Sequence, residues 1–328
     1  MFELTQPLYN MTKYRLINNM IALLSILSIL FTADIQAAVY AHERGGKIVG
    51  RLQYTVVTEQ ERNLHHIARQ YQVGYDALML ANPHLDPKKP PLPGTVIYLP
   101  HAIIVPALKP NEITINVAEK RMFYLDGKTN KLYIWPVGIG RPHTPTPLGN
   151  MSIIHKRKNP TWYVPQAALE EARSMGYHDH PKLVPPGKNN PLGAHAIALS
   201  KRSYLIHSTH DPSMIGTRNT SGCINMYPED IAQLYGMLSV NDRVNIINKP
   251  VKSHRSDDGV FLESHPVLID YLEREHKDTP VDSLTREYHH HIAEEAFAKN
   301  FTGNDQPPID NILSLLDNPL GVPTVIDQ

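Results

Sequence analysis

Two side chains in this sequence have the types and spacing for nucleophilic chemistry. Cys223, the single cysteine among 328 residues, follows the turn Thr220-Ser221-Gly222, and His207 stands sixteen positions upstream at the end of an apolar run. Cysteine reacts as its thiolate, so an enzyme that uses one near neutral pH needs a base or cation beside it, and an imidazole serves. A single cysteine is more often a small buried hydrophobe, and a single histidine at a strand end is more often a satisfied surface group. The pair therefore acquires meaning only if the chain brings the two together.

The neighbouring residues supply elements that could do so. Ser203 to Ile206 is apolar and β-favouring, a strand that would hold His207 rigidly at its end. Gly216 and Gly222 bracket a polar loop, His210 to Ser221, that can fold back toward His207. Ile224, Met226, Ile231, Leu234 and Tyr235 resume apolar spacing, with a helix beginning near Pro228-Glu229-Asp230. The expected order is strand, histidine, loop, glycine, cysteine, helix.

This segment resembles the active-site signature of the L,D-transpeptidases, the YkuD-like family of the ErfK/YbiS type. The resemblance is carried by His207-Ser208-Thr209, Ile215-Gly216-Thr217-Arg218 and Thr220-Ser221-Gly222-Cys223-Ile224-Asn225-Met226. Two positions depart from the pattern: Ser221 stands where the family has a second histidine, with Thr220 before it in place of serine, and Asn225 stands where arginine is common. The resemblance implies Cys223 as nucleophile and His207 as general base, with Ser208 holding its tautomer through the backbone carbonyl. It further implies Gly222 and Ser221 around the oxyanion, and Arg218, Thr209, Asn225 and Trp162 toward substrate, Arg218 as partner of a stem-peptide carboxylate.

The same resemblance implies the reaction. A peptidoglycan tetrapeptide stem would be cut between meso-diaminopimelate and the terminal D-alanine through a Cys thioester. The acyl group would pass to another diaminopimelate, giving a 3-3 cross-link, or to a lysine of an outer-membrane lipoprotein or other outer-membrane protein. Water as acceptor would instead make an L,D-carboxypeptidase or amidase, and a decayed site would leave a wall-binding protein. No cofactor and no metal is implied.

Lys13 and Arg15 precede an apolar run from Met20 to Phe31 and small residues at Ala37 and Ala38, the layout of a leader for export, with residues 1–41 as signal peptide or N-terminal anchor. Export to the periplasm fits one unpaired cysteine, since an oxidising compartment pairs exposed thiols unless one is kept free. The 32 basic residues balance the 32 acidic ones, so no charge excess points to nucleic acid. The 28 prolines suit two or three compact domains on stiff connections.

Within 50–101, Tyr54-Thr-Val, a helix from Leu64 to Tyr71, a second from Tyr75 to Ala81, the Asn82-Pro83 break and the strand after Pro93-Gly94 give a βααβ order. That order resembles a LysM module, which implies contact with peptidoglycan glycan. From 110 to 250 the pattern is short strands: 113–117, 121–125 and 131–140 with an Asp126-Gly127 hairpin, then a Thr144-Pro-Thr-Pro-Leu-Gly149 turn and a strand from Met151 to Ile154. Asn159-Pro160, Val184-Pro185 and Asn190-Pro191-Leu192-Gly193 also match the ErfK/YbiS type. The fold class expected is a mainly β catalytic domain, a YkuD-like barrel or sandwich, with the small βααβ module and a partly helical C-terminal extension over 251–328.

A helical insertion, Gln166 to Ser174, reads either as a lid over the acyl-acceptor path or as a surface helix that only fills space. In the extension a connector is expected over Ser253 to Gly259, a short strand to His265, and helices over Pro266 to Glu275 and Thr285 to Lys299, with a docking tail from Asn304. His290 and Glu294 lie one helical turn apart, a metal-ligand spacing, but without a third ligand the better reading is a solvated helix face.

Overall fold

Runs of β-branched and aromatic residues broken by Asx-Gly and proline turns make strands the framework of this chain. The computed structural model describes residues 38–41, 48–61, 63–179, 181–275, 280–300 and 309–326; the apolar run of the expected leader lies outside them. The last residues of that expected segment, β1 (Ala38–Ala41), form an edge strand of the main sheet, paired with 131–134. Among the described residues no helix is long and apolar enough to cross a membrane.

After β2 (Ile48–Val49) the βααβ module forms as expected: β3 (Gln53–Val56), α1 (Leu64–Gln70), α2 (Tyr75–Leu80) and β4 (Val96–Leu99), with Tyr54 opposite Tyr98 across the two strands. Asn63 caps α1, its Oδ1 accepting from the His65 and His66 amides at 2.9 and 3.2 Å. Asn82 ends α2 and is fully buried: its Nδ2 donates to the Leu78 and Tyr98 carbonyls at 2.8 and 2.7 Å, and its Oδ1 accepts from Tyr98 N at 2.7 Å. One side chain thus stops a helix and ties it to the closing strand.

Past β5 (Ile103–Ile104) come β6 (Glu112–Asn116), β7 (Arg121–Leu125), β8 (Lys131–Pro136), β9 (Ile139–Gly140), β10 (Gly149–Lys158), β11 (Trp162–Tyr163), α3 (Gln166–Ser174) and β12 (Leu183–Val184). Then follow β13 (His195–Leu199), β14 (Leu205–His207), β15 (Arg218–Thr220), β16 (Ile224–Asn225), α4 (Pro228–Met237) and β17 (Arg243–Ile247). Nine strands form one sheet in the order β1-β8-β7-β6-β17-β10-β13-β14-β16. Ile113, Trp135, Ile153, Ile206, Ile224 and Leu234 are among the buried side chains of its core.

Strand β10 extends well beyond the expected 151–154 because it serves two partners. Gly149 to Ser152 pair with β17, and Ile153 to Lys158 pair with β13, with a register shift between Ile153 and His155. Such an irregularity bends the strand and lets one sheet curl through two halves. The second half carries β14 and β16.

In the extension the expected connector is instead β18 (Val251–Ser256), which makes a hairpin with β19 (Gly259–Ser264) around Asp257-Asp258. Next are α5 (Ile269–Glu275), α6 (Val281–Asn300), α7 (Ile309–Asp317) and β20 (Thr324–Val325), which pairs with β19. Helix α6 starts four residues before the expected Thr285, with Leu284 already buried. The part of the tail from 309 is not a free docking segment: Ile312 and Leu316 bury against Val260, Leu262 and Ile292. His290 and Glu294 both lie on the exposed face of α6.

Where the extension meets the sheet, Glu119 and Glu263 are buried with Arg121, Lys252 and His265. Arg121 and Lys252 reach Glu263 at 2.8 and 3.0 Å, Lys252 reaches Glu119 at 2.7 Å, and His265 Nε2 lies 2.9 Å from Glu263. Among the described residues this is the group with metal-ligand atoms close together, but the two cations already balance its two carboxylates. Burial pushes the Glu263 carboxyl up, yet Lys252, the His265 hydrogen bond and Arg121 hold it below the usual carboxylate range.

Candidate active site

The parallel pairing of β14 with β16 sets Ile206 beside Ile224 and His207 beside Asn225. Cys223 immediately precedes β16, two positions before Asn225, so by strand alternation its side chain projects to the face that carries the His207 imidazole. Neighbouring strands lie about 4.8 Å apart. The parallel pairing thus lays Cys223 on the strand line next to that of His207, two positions before the level of the imidazole and against the backbone of Ser203 and Leu205.

His207 is buried, and its Nδ1–H donates to the Ser208 carbonyl at 2.5 Å, which leaves Nε2 as the basic nitrogen. Burial lowers its pKa to about 4 against the opposing hydrogen bonds with Ser208 and Pro191, so the ring is neutral at neutral pH. The Cys223 thiol is half-buried and lies 3.7 Å from the Ser203 carbonyl. Burial pushes its pKa up, a backbone hydrogen bond with Leu205 pulling the other way. The resting pair is thus thiol and neutral imidazole.

The proline segments that looked scattered in sequence converge on one side chain. Buried Asn190 donates to the Pro160 carbonyl at 2.8 Å and to those of Val184 and Pro185 at 3.2 Å, and accepts from Leu192 N at 2.9 Å. The Ser208 amide donates to the His195 carbonyl at 2.9 Å. The residue after the base is thus fixed on β13.

Gly222 has φ +101°, and a Cβ there would meet the Tyr204 ring at 2.6 Å, so both backbone and space require glycine beside Cys223. Its amide, one of the expected oxyanion donors, is directed to Thr220 Oγ1 at 3.2 Å, while that hydroxyl donates to the Cys223 carbonyl at 2.6 Å. Ser221 is exposed, and its Oγ accepts from Arg141 Nη2 at 3.2 Å.

Four expected substrate contacts have other occupations. The fork of Arg218 lies bidentate on Asp270 of α5, both contacts 2.7 Å, and its Nε donates to the Gly140 carbonyl at 3.1 Å. Thr209 is buried and closes a turn with Asp211, its Oγ1 donating to and accepting from that residue's backbone at 3.0 Å. Asn225 is buried, its backbone paired with Gly138 and its Nδ2 on Asn219 Oδ1 at 3.2 Å. Trp162 is half-buried in the separate β11–β12 ribbon opposite Val184.

What the sequence did not single out is Arg141. Its amide donates to the Thr220 carbonyl at 2.9 Å, and its guanidinium grips Glu171 of the α3 insertion at 2.8 and 3.0 Å. This pair holds the Glu171 carboxyl below its ordinary range, hydrogen bonding by Arg141 being the main cause. The sequence signal available was an arginine between a strand and the Thr-Pro-Thr-Pro turn, with no motif to mark it. Helix α5 also backs the site, Tyr271 Oη donating to the Thr146 carbonyl at 2.7 Å.

The βααβ module docks on the loop between the two candidates. The Tyr75 and Asp76 amides donate to the Ile215 and Gly216 carbonyls at 3.4 and 3.2 Å. Gly216 has φ +83°, and a Cβ on it would run into the backbone of Gly74 and Tyr75. Arg69 and Glu229, 3.4 Å apart, and Asp76 and Lys120, 3.1 Å apart, flank the contact.

Comparison with known proteins agrees with this architecture. Residues 110–246 match the L,D-transpeptidase catalytic domain (YkuD) and residues 54–100 match the LysM domain. The chain is 35% identical to the probable L,D-transpeptidase YcfS of Escherichia coli over 242 residues, covering 72% of this chain and 75% of that one. It is 34% identical to the probable L,D-transpeptidase YbiS of Escherichia coli over 227 residues, covering 68% and 73%. With the probable L,D-transpeptidase ErfK/SrfK of Salmonella typhimurium it shares 32% over 226 residues, covering 68% and 72%. A β-rich curled sheet bearing the His207–Cys223 segment, a LysM domain ahead of it and these relatives together mean that the chain belongs to the L,D-transpeptidase family of the YkuD type.

Proposed function

We propose that this chain is an exported, cysteine-dependent L,D-transpeptidase that works on peptidoglycan tetrapeptide stems in the periplasm, with Cys223 as nucleophile and His207 as general base. The observation that supports this reading is the parallel β14–β16 pairing, which runs the segment of Cys223 alongside the strand of His207, with Nδ1–H of His207 committed to the Ser208 carbonyl. A neutral imidazole with its lone pair on Nε2 can take the thiol proton as sulfur attacks; a preformed ion pair is not required.

In the first step Cys223 Sγ attacks the carbonyl carbon between diaminopimelate and D-alanine while Nε2 of His207 takes the proton. The tetrahedral intermediate collapses as His207 returns that proton to the departing D-alanine amine, leaving a thioester. An acceptor amine then attacks, His207 takes its proton, and the thiolate leaves and is reprotonated. The oxyanion is stabilised by backbone amides of the turn at Cys223, each donor contributing on the order of 3 kcal/mol. Gly222 joins them on releasing its contact with Thr220. The acceptor is a second diaminopimelate or a lysine of an outer-membrane protein, and the LysM domain holds the enzyme to the glycan.

The test is product analysis after incubating the purified chain with disaccharide-tetrapeptide, with and without a lysine-bearing lipoprotein peptide, beside Cys223→Ala. D-Alanine release together with a cross-linked dimer or a peptide adduct, both absent in the variant, is the expected result. Release giving only tripeptide would replace the transferase with a carboxypeptidase. No release would remove the enzymatic reading.

A further inference from the structure

We propose that Arg141 receives a carboxylate of the acyl-donor peptide, and that Glu171 on α3 occupies that position while the site is empty, so that the donor displaces it and releases the α3 insertion. This rests on the reading of the chain as an enzyme that binds an acyl-donor peptide at Cys223. Arg141 is fixed beside the nucleophile by its backbone: Gly140 pairs with Thr220 in the β9–β15 register, and the Arg141 amide donates to the Thr220 carbonyl at 2.9 Å. From there its guanidinium touches Ser221, two residues before Cys223, at 3.2 Å.

The other arginine of this turn cannot serve, because Arg218 is held bidentate by Asp270 with side-chain exposures of only 16% and 12%. Arg141 and Glu171 are 36% and 39% exposed, so exchanging one carboxylate for another costs little desolvation. A peptide carboxylate offers a guanidinium the two-oxygen geometry that Glu171 offers now. The carrier of Glu171 is also suited to leave. Helix α3 is nine residues long, has Leu169 as its one buried residue, and begins without a side-chain cap at Pro165. A helix this short gains little stability by itself, so the Arg141 pair is a main tether.

The experiment uses the full chain and two small electrophiles that differ in charge. Cys223 is alkylated with iodoacetate, which carries a carboxylate, and with neutral iodoacetamide, and the ratio of rates is followed by intact mass. Arg141→Ala should lower the iodoacetate-to-iodoacetamide ratio about tenfold, the order of one charge-assisted contact, and Glu171→Gln should raise it several-fold by removing the competitor. A ratio equal in all three proteins would overturn the proposal. In parallel, D-alanine release is compared for tetrapeptides amidated either at the terminal carboxylate or at diaminopimelate. A penalty for one amide that disappears in Arg141→Ala identifies the carboxylate; no penalty for either also overturns the proposal. Should the unmodified tetrapeptide not be turned over at all, the functional reading fails, while the alkylation ratio still decides whether Arg141 receives an anion.

Discussion

Two arginine–carboxylate pairs flank the turn that carries Cys223, and they differ in burial more than in geometry. On the α5 side Arg218 and Asp270 meet at 2.7 Å with exposures of 16% and 12%; on the α3 side Arg141 and Glu171 meet at 2.8 Å with exposures of 36% and 39%. The more covered pair also takes the Gly140 carbonyl and sits under a helix whose Tyr271 reaches Thr146, so it binds the extension to the catalytic sheet. The more open pair joins an insertion to the turn that carries Cys223. The same chemistry is a fastener where water has little access and an exchangeable contact where it has more.

The sharpest way to break that contrast is to remove one arginine at a time. Arg218→Ala leaves the largely covered Asp270 without its cation and should cost about 1–3 kcal/mol of stability, whereas Arg141→Ala should cost less than about 1 kcal/mol. Urea unfolding of the two variants measures both, and equal losses would refute the distinction. Replacing Arg218 and Asp270 together by Met and Leu should restore most of the loss, because the penalty comes from the orphaned charge.

Burial also decides the next effect, on pH. With a pKa of about 4, His207 stays deprotonated as pH falls through 6.5, and base catalysis is lost only as pH falls through about 4. At pH 5 a histidine of ordinary pKa would be about thirtyfold depleted in its basic form, so kcat/KM at pH 5 separates the two cases. Retention of most of the pH 7 value is expected.

A smaller effect belongs to the docked LysM domain. Gly216→Ala adds a side chain at φ +83° against Gly74 and should destabilise by roughly 1–3 kcal/mol while slowing D-alanine release. Thermal unfolding and product assays on the same sample check both. Glu229→Gln, which removes only the 3.4 Å contact with Arg69, should change stability by less than about 0.5 kcal/mol. A large loss there would mean that exposure does not grade these pairs.

Much of this was legible in the chain, for physical reasons that differ by element. Helix α3 falls on the expected Gln166 to Ser174, and α1, α2 and α4 start where their caps, breaks and prolines say, because those signals are local. The strand, loop and helix order around His207 and Cys223 was legible because a short apolar strand, two glycines and a Pro-Glu-Asp helix start mark it locally. Strand β10 ran past its expected end because its second half is specified by β13, and β18 was missed because Lys252, Ser253 and His254 read as polar while pairing with β19. The Arg141–Glu171 and Arg218–Asp270 pairs were not legible because the partners lie 30 and 52 residues apart, a separation no local pattern encodes.

The central claim is that Cys223 carries the acyl group. Intact-protein mass spectrometry of the full chain, quenched in acid during turnover of disaccharide-tetrapeptide, should show the mass of the bound tripeptide acyl group, with peptide mapping placing it on Cys223. His207→Ala should greatly reduce that species and Cys223→Ala should abolish it. Turnover without an adduct, or an adduct that survives in Cys223→Ala, would contradict the account.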